Sequence, residues 1–360
     1  MLHTINLPSC IQHLEWIVRF QRVLLYALCN SSVAAANVTI IWVKTQCPDV
    51  DHDWIEQFCG WAIKGKSMLN RMQTVASLSI ADKRALVNHY KRNIRYSEAF
   101  GSTNPSPPAV APLPNGLSTL AATAYSDFFE MFYAPIFYDQ KGYSINAIDL
   151  NGERFTRNKY LTAYHAANDN LKVCPLCDGG MDGAELDHWM AKKYLPELNC
   201  YPQNLVEICG ACNKRTNKGE KLVFDKETAD PFSKWFHPYL RPAVGLFTVD
   251  RQERKVRLVS DNASIQERLD KLDNLINLSK RWSQEWKTQL KRIEKKIYGA
   301  RRRGQSLDKD ALQSKIQAWK NETEDEVGIE PYALLAVYIL SLALDPSSDE
   351  YAEVHSYAQV

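Results

Sequence analysis

A mainly helical chain carrying a small α+β unit stapled by metal is the fold that the sequence predicts, and three observations lead there. Apolar residues recur at three- and four-residue steps through residues 11–100 and again beyond residue 261. Four of the nine cysteines fall into two C-x-x-C pairs, at 174–177 and 209–212. Between those pairs two short runs, "GAELDH" and "NLVEIC", read as antiparallel strands.

The helical parts come first. "IQHLEWIVRFQRVLLYALC", "DWIEQFCGWAIKGKSMLNRM" and "SIADKRALVNHYKRNIRYSEAF" predict an N-terminal helical domain over 1–100, with Ser79 as a helix cap. Five prolines within 101–116 cannot continue a helix, so 101–117 reads as a semi-rigid linker. Residues 118–260 form the expected central domain: an aromatic-rich stretch, a helix in "GERFTRNKYLTAYHAAND" that leads into the cysteine region and is expected to pack on it, and a hairpin in which "LFTV" and "KVRLV" flank "DRQER". One long helix is expected from Ser264 to Tyr298, its apolar stripe broken in register around 278–282, followed by helices at 306–320 and 331–344 that complete a C-terminal bundle over 261–360.

Composition sets the limits. With 360 residues, 45% of them hydrophobic, the chain can fill the cores of two or three domains, and a net charge of +2 does not by itself announce a nucleic-acid binder. The longest apolar run, "ALLAVYILSLAL", is shorter than the roughly 18 to 20 residues of a membrane span and suits a buried helix. The N-terminus lacks a basic n-region and a cleavage site, so a cytoplasmic location and no membrane partner are expected. Cys10, Cys29, Cys47, Cys59 and Cys200 have no regular spacing and read as free thiols of a reducing compartment.

Cys174, Cys177, Cys209 and Cys212 have a different logic. Two C-x-x-C knuckles can direct four thiolates at one tetrahedral ion with Zn–S distances of roughly 2.3 Å, and four cysteine ligands leave no open coordination position. The expected zinc is therefore structural.

Asp187, His188 and Asn204 lie between the knuckles, and Asn213 follows the last cysteine at once. This order, a C-x-x-C, an Asp-His pair, an Asn-Leu and a C-x-x-C followed by Asn, resembles the zinc-stapled form of the HNH endonuclease family over residues 171–221, with Asn213 where many members have His. The resemblance implies a ββα-metal nuclease core in which "GACNKRTNKGEK" is the helix. Neighbours on a strand point in opposite directions, so Asp187 and His188 can take different roles. A neutral histidine, with an ordinary pKa of about 6.5, suits the general base that activates water, whereas a hard cation prefers oxygen ligands. His188 is thus expected as the base and Asp187 with Asn213 as ligands of one Mg²⁺ or Mn²⁺ that stabilises the leaving 3′-oxygen. The family implies that Asn204 braces the loop and orients His188. Asn217, one helical turn beyond Asn213, is a possible assistant, as is His237 in "FHPYL", which is more often a packing feature.

Lys192, Lys193, Lys214, Arg215, Lys218 and Lys221 cluster around this constellation and favour a nucleic-acid substrate, DNA before RNA, although each has an ordinary solvated reading. The run 280–303 holds ten Lys/Arg against two Glu, with Trp282, Trp286 and Tyr298 interleaved; it either grips nucleic acid or pairs a core stripe with a solvated face. The functional expectation is a metal-dependent endonuclease, the alternatives being a tRNA-type RNA endonuclease or an inactive zinc-stapled binding module. A fainter likeness to HNH subunits of Septu-like or retron-linked anti-phage systems implies an ATPase partner; the chain has no G-x-x-x-x-G-K-[ST] of its own, so nucleotide use would have to come from that partner.

Overall fold

The computed structural model describes residues 1–100, 110–139, 141–143, 153–226, 231–252 and 255–358, so most of the proline-rich linker lies outside the described residues. The described chain is mainly helical, with three two-stranded antiparallel sheets.

The N-terminal half contains α1 (Ile11–Leu28), α2 (Ile40–Gln46), α3 (His52–Gly60), the minimal hairpin β1 (Ala62–Ile63) and β2 (Lys66–Ser67), α4 (Met68–Ala76), α5 (Ile80–Asn93), α6 (Thr119–Tyr133) and α7 (Arg157–Ala167). Caps fix several of the starts: Thr39, Ser67, Ser79 and Ser118 each accept a backbone N–H of the helix that follows. Ser79 is the cap that the sequence predicts.

Their buried faces form one core, in which Leu14, Phe20, Leu24, Trp54, Phe58, Met72, Tyr90, Phe128, Phe129 and Tyr160 are almost wholly enclosed. Each such side chain contributes about 1.5–3 kcal/mol when removed from water. The helices after the linker thus join the N-terminal core, where the sequence reading grouped them with the cysteine region. Phe129 and Phe132 explain this: they present aromatic area to Phe20, Phe58 and Tyr90.

The second core surrounds the cysteines. It is built from β3 (Glu185–His188), β4 (Leu205–Ile208), the single turn α8 (Gly210–Asn213), the hairpin β5 (Thr248–Gln252) and β6 (Lys255–Val259), and α9 (Ala263–Ile276), α10 (Leu278–Arg302), α11 (Lys309–Asp325), α12 (Ala333–Leu344) and α13 (Asp349–Ser356). Asn277 breaks the expected long helix: it adopts a left-handed conformation, φ 52° and ψ 45°, which asparagine tolerates, and α9 and α10 part there. Strand β3 pairs with β4 so that His188 faces Leu205 and Asp187 faces Val206. Alternation then sends Leu186 and Leu205 into the N-terminal core and Val206 and Ile208 into the cysteine-side core. One hairpin joins both cores, and it carries the Asp-His pair.

The helix expected over 210–221 is the main departure. After Asn213 the chain leaves helical geometry, with Lys214 at φ −58° and ψ 147°. Gly219 then takes φ +41°, in a bend so tight that a Cβ would lie 2.9 Å from the Arg215 Cα. A continuous helix would not return Lys218 to the interior, where the structure places it.

Candidate functional site

The sulfurs of Cys174, Cys177, Cys209 and Cys212 all lie within 4.8 Å of one another, and all four residues are buried. Ligands about 2.3 Å from a tetrahedral zinc stand roughly 3.8 Å apart. Here the Cys174–Cys212 and Cys177–Cys209 sulfur pairs are 3.9 and 3.8 Å apart, so the centre could hold a zinc ion without rearrangement. Backbone amides turn toward the sulfurs, Cys209 N donating to Cys174 Sγ and Cys212 N to Cys209 Sγ, each at 3.4 Å. Gly210 allows the second knuckle to approach the chain at Asp182 and Gly183, because a Cβ there would meet Gly183 O at 3.0 Å.

Arg281, near the start of α10, places Nη1 3.1 Å from Cys212 Sγ and Nη2 3.0 Å from Cys177 Sγ. Four thiolates on a divalent ion carry net negative charge, and this guanidinium offsets part of it. Trp282 Nε1 donates to the Cys177 carbonyl at 3.0 Å. The sequence pattern of α10 concealed both roles, because nothing in a run of lysines and arginines distinguishes the one that turns inward. The first knuckle is held from two further directions. Asp178, at φ 62°, pairs with His3 at 2.7 Å and accepts from Leu334 N at 3.0 Å.

His188 is 6% exposed, and its ring packs edge-on against Tyr133 with centroids 4.5 Å apart. Its Nε2 lies 3.0 Å from the Asn199 carbonyl oxygen. A carbonyl only accepts, so Nε2 carries the proton, and Nδ1 of the neutral ring keeps its lone pair. Burial lowers the His188 pKa to about 3, with Lys192 and Lys218 adding to the effect against the Asn199 bond. The ring is therefore neutral at physiological pH.

Asn199 is held in turn, donating from Nδ2 to Phe129 O at 2.6 Å and accepting from Gln21 Nε2 at 3.1 Å. Residues of α1 and α6 thereby fix the carbonyl that orients His188. Neither Gln21 nor Asn199 carries a sequence signal of this role. Asn204 is fully buried and ties down the same loop: Oδ1 accepts from Met190 N at 2.5 Å, and Nδ2 donates to Met190 O at 3.1 Å and Leu198 O at 2.9 Å.

Asp187 lies on the opposite face of the hairpin and forms an ion pair with Lys218. Lys218, grouped in the sequence with the phosphate-neutralising lysines, is instead fully buried; its Nζ also donates to the His188 carbonyl at 2.7 Å and lies over the Trp189 ring. Burial raises the Asp187 carboxyl above its ordinary value, and Lys218 opposes the rise. Asn213 donates to Glu185 Oε2 at 2.7 Å. Glu185 is two residues before Asp187 and so shares its face, a relation legible from strand alternation. Among the described contacts, Asp187 and Asn213 thus take different partners.

Lys192, Lys193, Lys214, Arg215 and Lys221 are exposed around the hairpin, Lys193 pairing with Glu220 at 3.2 Å. Asn217 does not sit one helical turn from Asn213, since no helix continues there; it donates to Ala211 O and accepts from Asn277 Nδ2, both at 2.6 Å. His237 is fully buried, packed among Tyr96, Phe100 and Tyr239 with Nδ1 accepting from the Tyr239 and Leu240 amides, and it serves packing. Cys200 is enclosed in the N-terminal core, where burial pushes its thiol pKa up.

The site thus comprises four clustered cysteines that could hold a metal ion, beside a hairpin with a neutral, tautomer-fixed histidine on one face and a carboxylate–ammonium pair on the other. No family model, curated protein or solved structure matches this chain.

Proposed function

We propose that the protein is a metal-dependent endonuclease of the HNH type, with DNA as the favoured substrate and a structural zinc at the four cysteines. The observation that carries this reading is the hydrogen bond from His188 Nε2 to the Asn199 carbonyl, which leaves Nδ1 free to accept a proton; burial makes the ring a weak base, so the water it activates would need the acidity that a bound cation confers. Gln21 of α1 and Phe129 of α6 brace the residue that supplies this carbonyl. Asp187 and Asn213, with Glu185 beside them, offer the oxygen donors that a hard divalent cation prefers. Bound there, such a cation would stabilise charge on the scissile phosphate and the leaving oxygen. Asn204 holds the loop that carries the Asn199 carbonyl, and so positions His188.

A second reading, an inactive zinc-stapled binding module, is favoured by one specific observation: Lys218 already neutralises Asp187. The two readings separate in one experiment. Purified protein is incubated with plasmid, single-stranded DNA and total RNA, in Mg²⁺ or EDTA. Mg²⁺-dependent cutting that His188→Ala reduces by about 10² to 10⁴-fold supports the nuclease. Cutting by that variant at the wild-type rate refutes the base assignment, and nucleic-acid binding without cutting in any divalent metal supports the module.

A further inference from the structure

Helix α10 buries Leu278, Trp282, Trp286, Leu290, Ile293, Ile297 and Ala300 against the cysteine-side core. The tryptophans are 0 and 1% exposed, so neither is available to stack on a base. The same period that hides these residues sorts the charges. Lys280, Gln284, Lys287, Lys291, Lys295, Tyr298 and Arg302 follow one another at three- and four-residue steps, and all seven are exposed.

This stripe has a length and an origin. Twenty-two residue steps at about 1.5 Å each make a straight line of roughly 33 Å, close to the ~34 Å of one duplex turn. Its beginning is fixed to the candidate site: Arg281 lies on the Cys177 and Cys212 sulfurs, Asn277 Nδ2 donates to Asn217, and Lys221 Nζ donates to the Leu275 carbonyl at 3.4 Å. Beside its first turns α10 forms one wall of a groove of about 840 Å³, in which Lys255 and Arg257 of β6 stand with Lys280 and Lys287. Asp270 and Asp273 of α9 also line it, leaving two more positive than negative side chains. Asp273 is partly engaged, accepting from Ser279 N at 2.7 Å.

Like charges at i and i+4 repel along an isolated helix, at a cost of a few tenths of a kcal/mol per pair. A stripe with Lys287, Lys291 and Lys295 in succession bears this cost along one face; Glu285 of α10 lies off it, and Glu294, three residues after Lys291, borders it. Solubility would be served as well by mixed charges. A regular line of cations matches a regular line of phosphates.

We propose that the exposed stripe Lys280–Lys287–Lys291–Lys295–Arg302 of α10 is a docking ridge for double-helical nucleic acid, held through its phosphate backbone and independent of sequence. The buried tryptophans exclude base stacking as its mode, and the Tyr298 hydroxyl can add a hydrogen bond to a phosphate. The proposal rests on the nuclease reading for its purpose, since the ridge begins beside that site, but its measurement does not require cutting.

The test is fluorescence anisotropy with a 30-base-pair DNA duplex, the equivalent RNA duplex and single-stranded DNA across a salt series, in EDTA. The variant is K280Q/K287Q/K291Q/K295Q; its control is K64Q/K66Q on the distant β1–β2 hairpin. Four lost phosphate contacts should lower the slope of log K against log salt by about 3.6 and weaken duplex affinity by at least about 10²-fold. All four positions are exposed, so an unchanged melting temperature and circular dichroism spectrum certify the fold. If the quadruple variant fails that check, the single variant K291E is measured instead and should still lose affinity beyond its Lys291→Gln counterpart. Preference for the DNA or the RNA duplex names the source of the phosphates. Duplex binding with wild-type affinity and slope by the variant overturns the ridge, as does stripe-dependent binding confined to anionic vesicles. Stripe-dependent duplex binding with no cutting in Mg²⁺ keeps the ridge and removes the nuclease; His188-dependent cutting by a variant with unchanged binding does the reverse.

Discussion

Replacing Lys218 by Met tests how the hairpin is held on its Asp187 face. The Lys218 side chain is 0% exposed and that of Asp187 13%, so the pair is buried on the lysine side and only narrowly reached by water on the other. Removing one partner of a buried pair costs roughly 3–5 kcal/mol, because the remaining charge loses its compensation. Water access to Asp187 places the expected loss at the lower end, about 3 kcal/mol. With an unfolding entropy of about 2.1 cal/mol/K per residue, that is a fall in melting temperature of about 4 °C for the 360-residue chain. Asp187→Asn should cost less, about 2 kcal/mol, because Lys218 keeps its 2.7 Å bond to the His188 carbonyl. The double variant should be more stable than the sum of the two losses predicts, by about 1–2 kcal/mol. Thermal melts of the four proteins, followed by circular dichroism, give the coupling. Additive losses, within about 0.3 kcal/mol, would refute the pairing of these two side chains. The same set addresses the metal: Mg²⁺ should stabilise Lys218→Met more than wild type if the ammonium and the cation compete for Asp187.

Three other outcomes are expected. Cys209→Ser should lose the zinc equivalent and most of the cooperative melt, since structural zinc supplies on the order of 10 kcal/mol; one zinc per chain by elemental analysis in that variant would refute the four-cysteine centre. Arg281→Met should leave the zinc stoichiometry at one while speeding zinc loss to a chelator, and an unchanged rate would show that the guanidinium does not offset thiolate charge. His188 should make stability pH-dependent with a defined sign. Its folded pKa of about 3 lies below the ordinary value of about 6.5, so its contribution is complete above about 6.5 and is lost as pH falls toward 3. The slope approaches about 1.4 kcal/mol per pH unit, and urea melts between pH 7 and 5 should show His188→Gln with a shallower slope by about one proton; equal slopes would contradict a buried neutral ring.

Much of this architecture is legible in the sequence because short-range rules govern it. The Ser79 cap, the two strands around "LDH" and "LVEI", the β5–β6 hairpin and the apolar face of α10 all follow from local pattern, and the structure has each of them. The four cysteines are legible for another reason: residues that could share one metal ion come as a set, and two C-x-x-C pairs are such a set. The turn after Asn213 was not legible. "NKRTNKGEK" has enough lysine and glutamate to suit a helix, and the decisive fact is tertiary, a lysine that must reach Asp187 through a bend allowed by Gly219. Gln21 and Asn199 were hidden in the same way. Their contact spans 178 positions, and no local pattern records it.

That long-range contact bears on how the two cores cooperate. His188 belongs to a hairpin whose other face joins the cysteine-side core, yet its ring and its hydrogen-bond acceptor are both set from the N-terminal core, by Tyr133 and by the Asn199 carbonyl behind Gln21. A second tie runs alongside: Asn93 Nδ2 donates to the buried Glu197 carboxylate at 2.6 Å, two residues before Asn199, with His89 3.2 Å from the same oxygen. The loop from Trp189 to Asn199 is thus held from α5, α1 and α6 on one side and by Asn204 on the other. A displacement of the N-terminal helices therefore reaches the His188 ring before it reaches the metal centre, whose contacts run instead to Arg281, His3 and Leu334. The arrangement separates the surroundings of the four cysteines from the helices that orient the histidine.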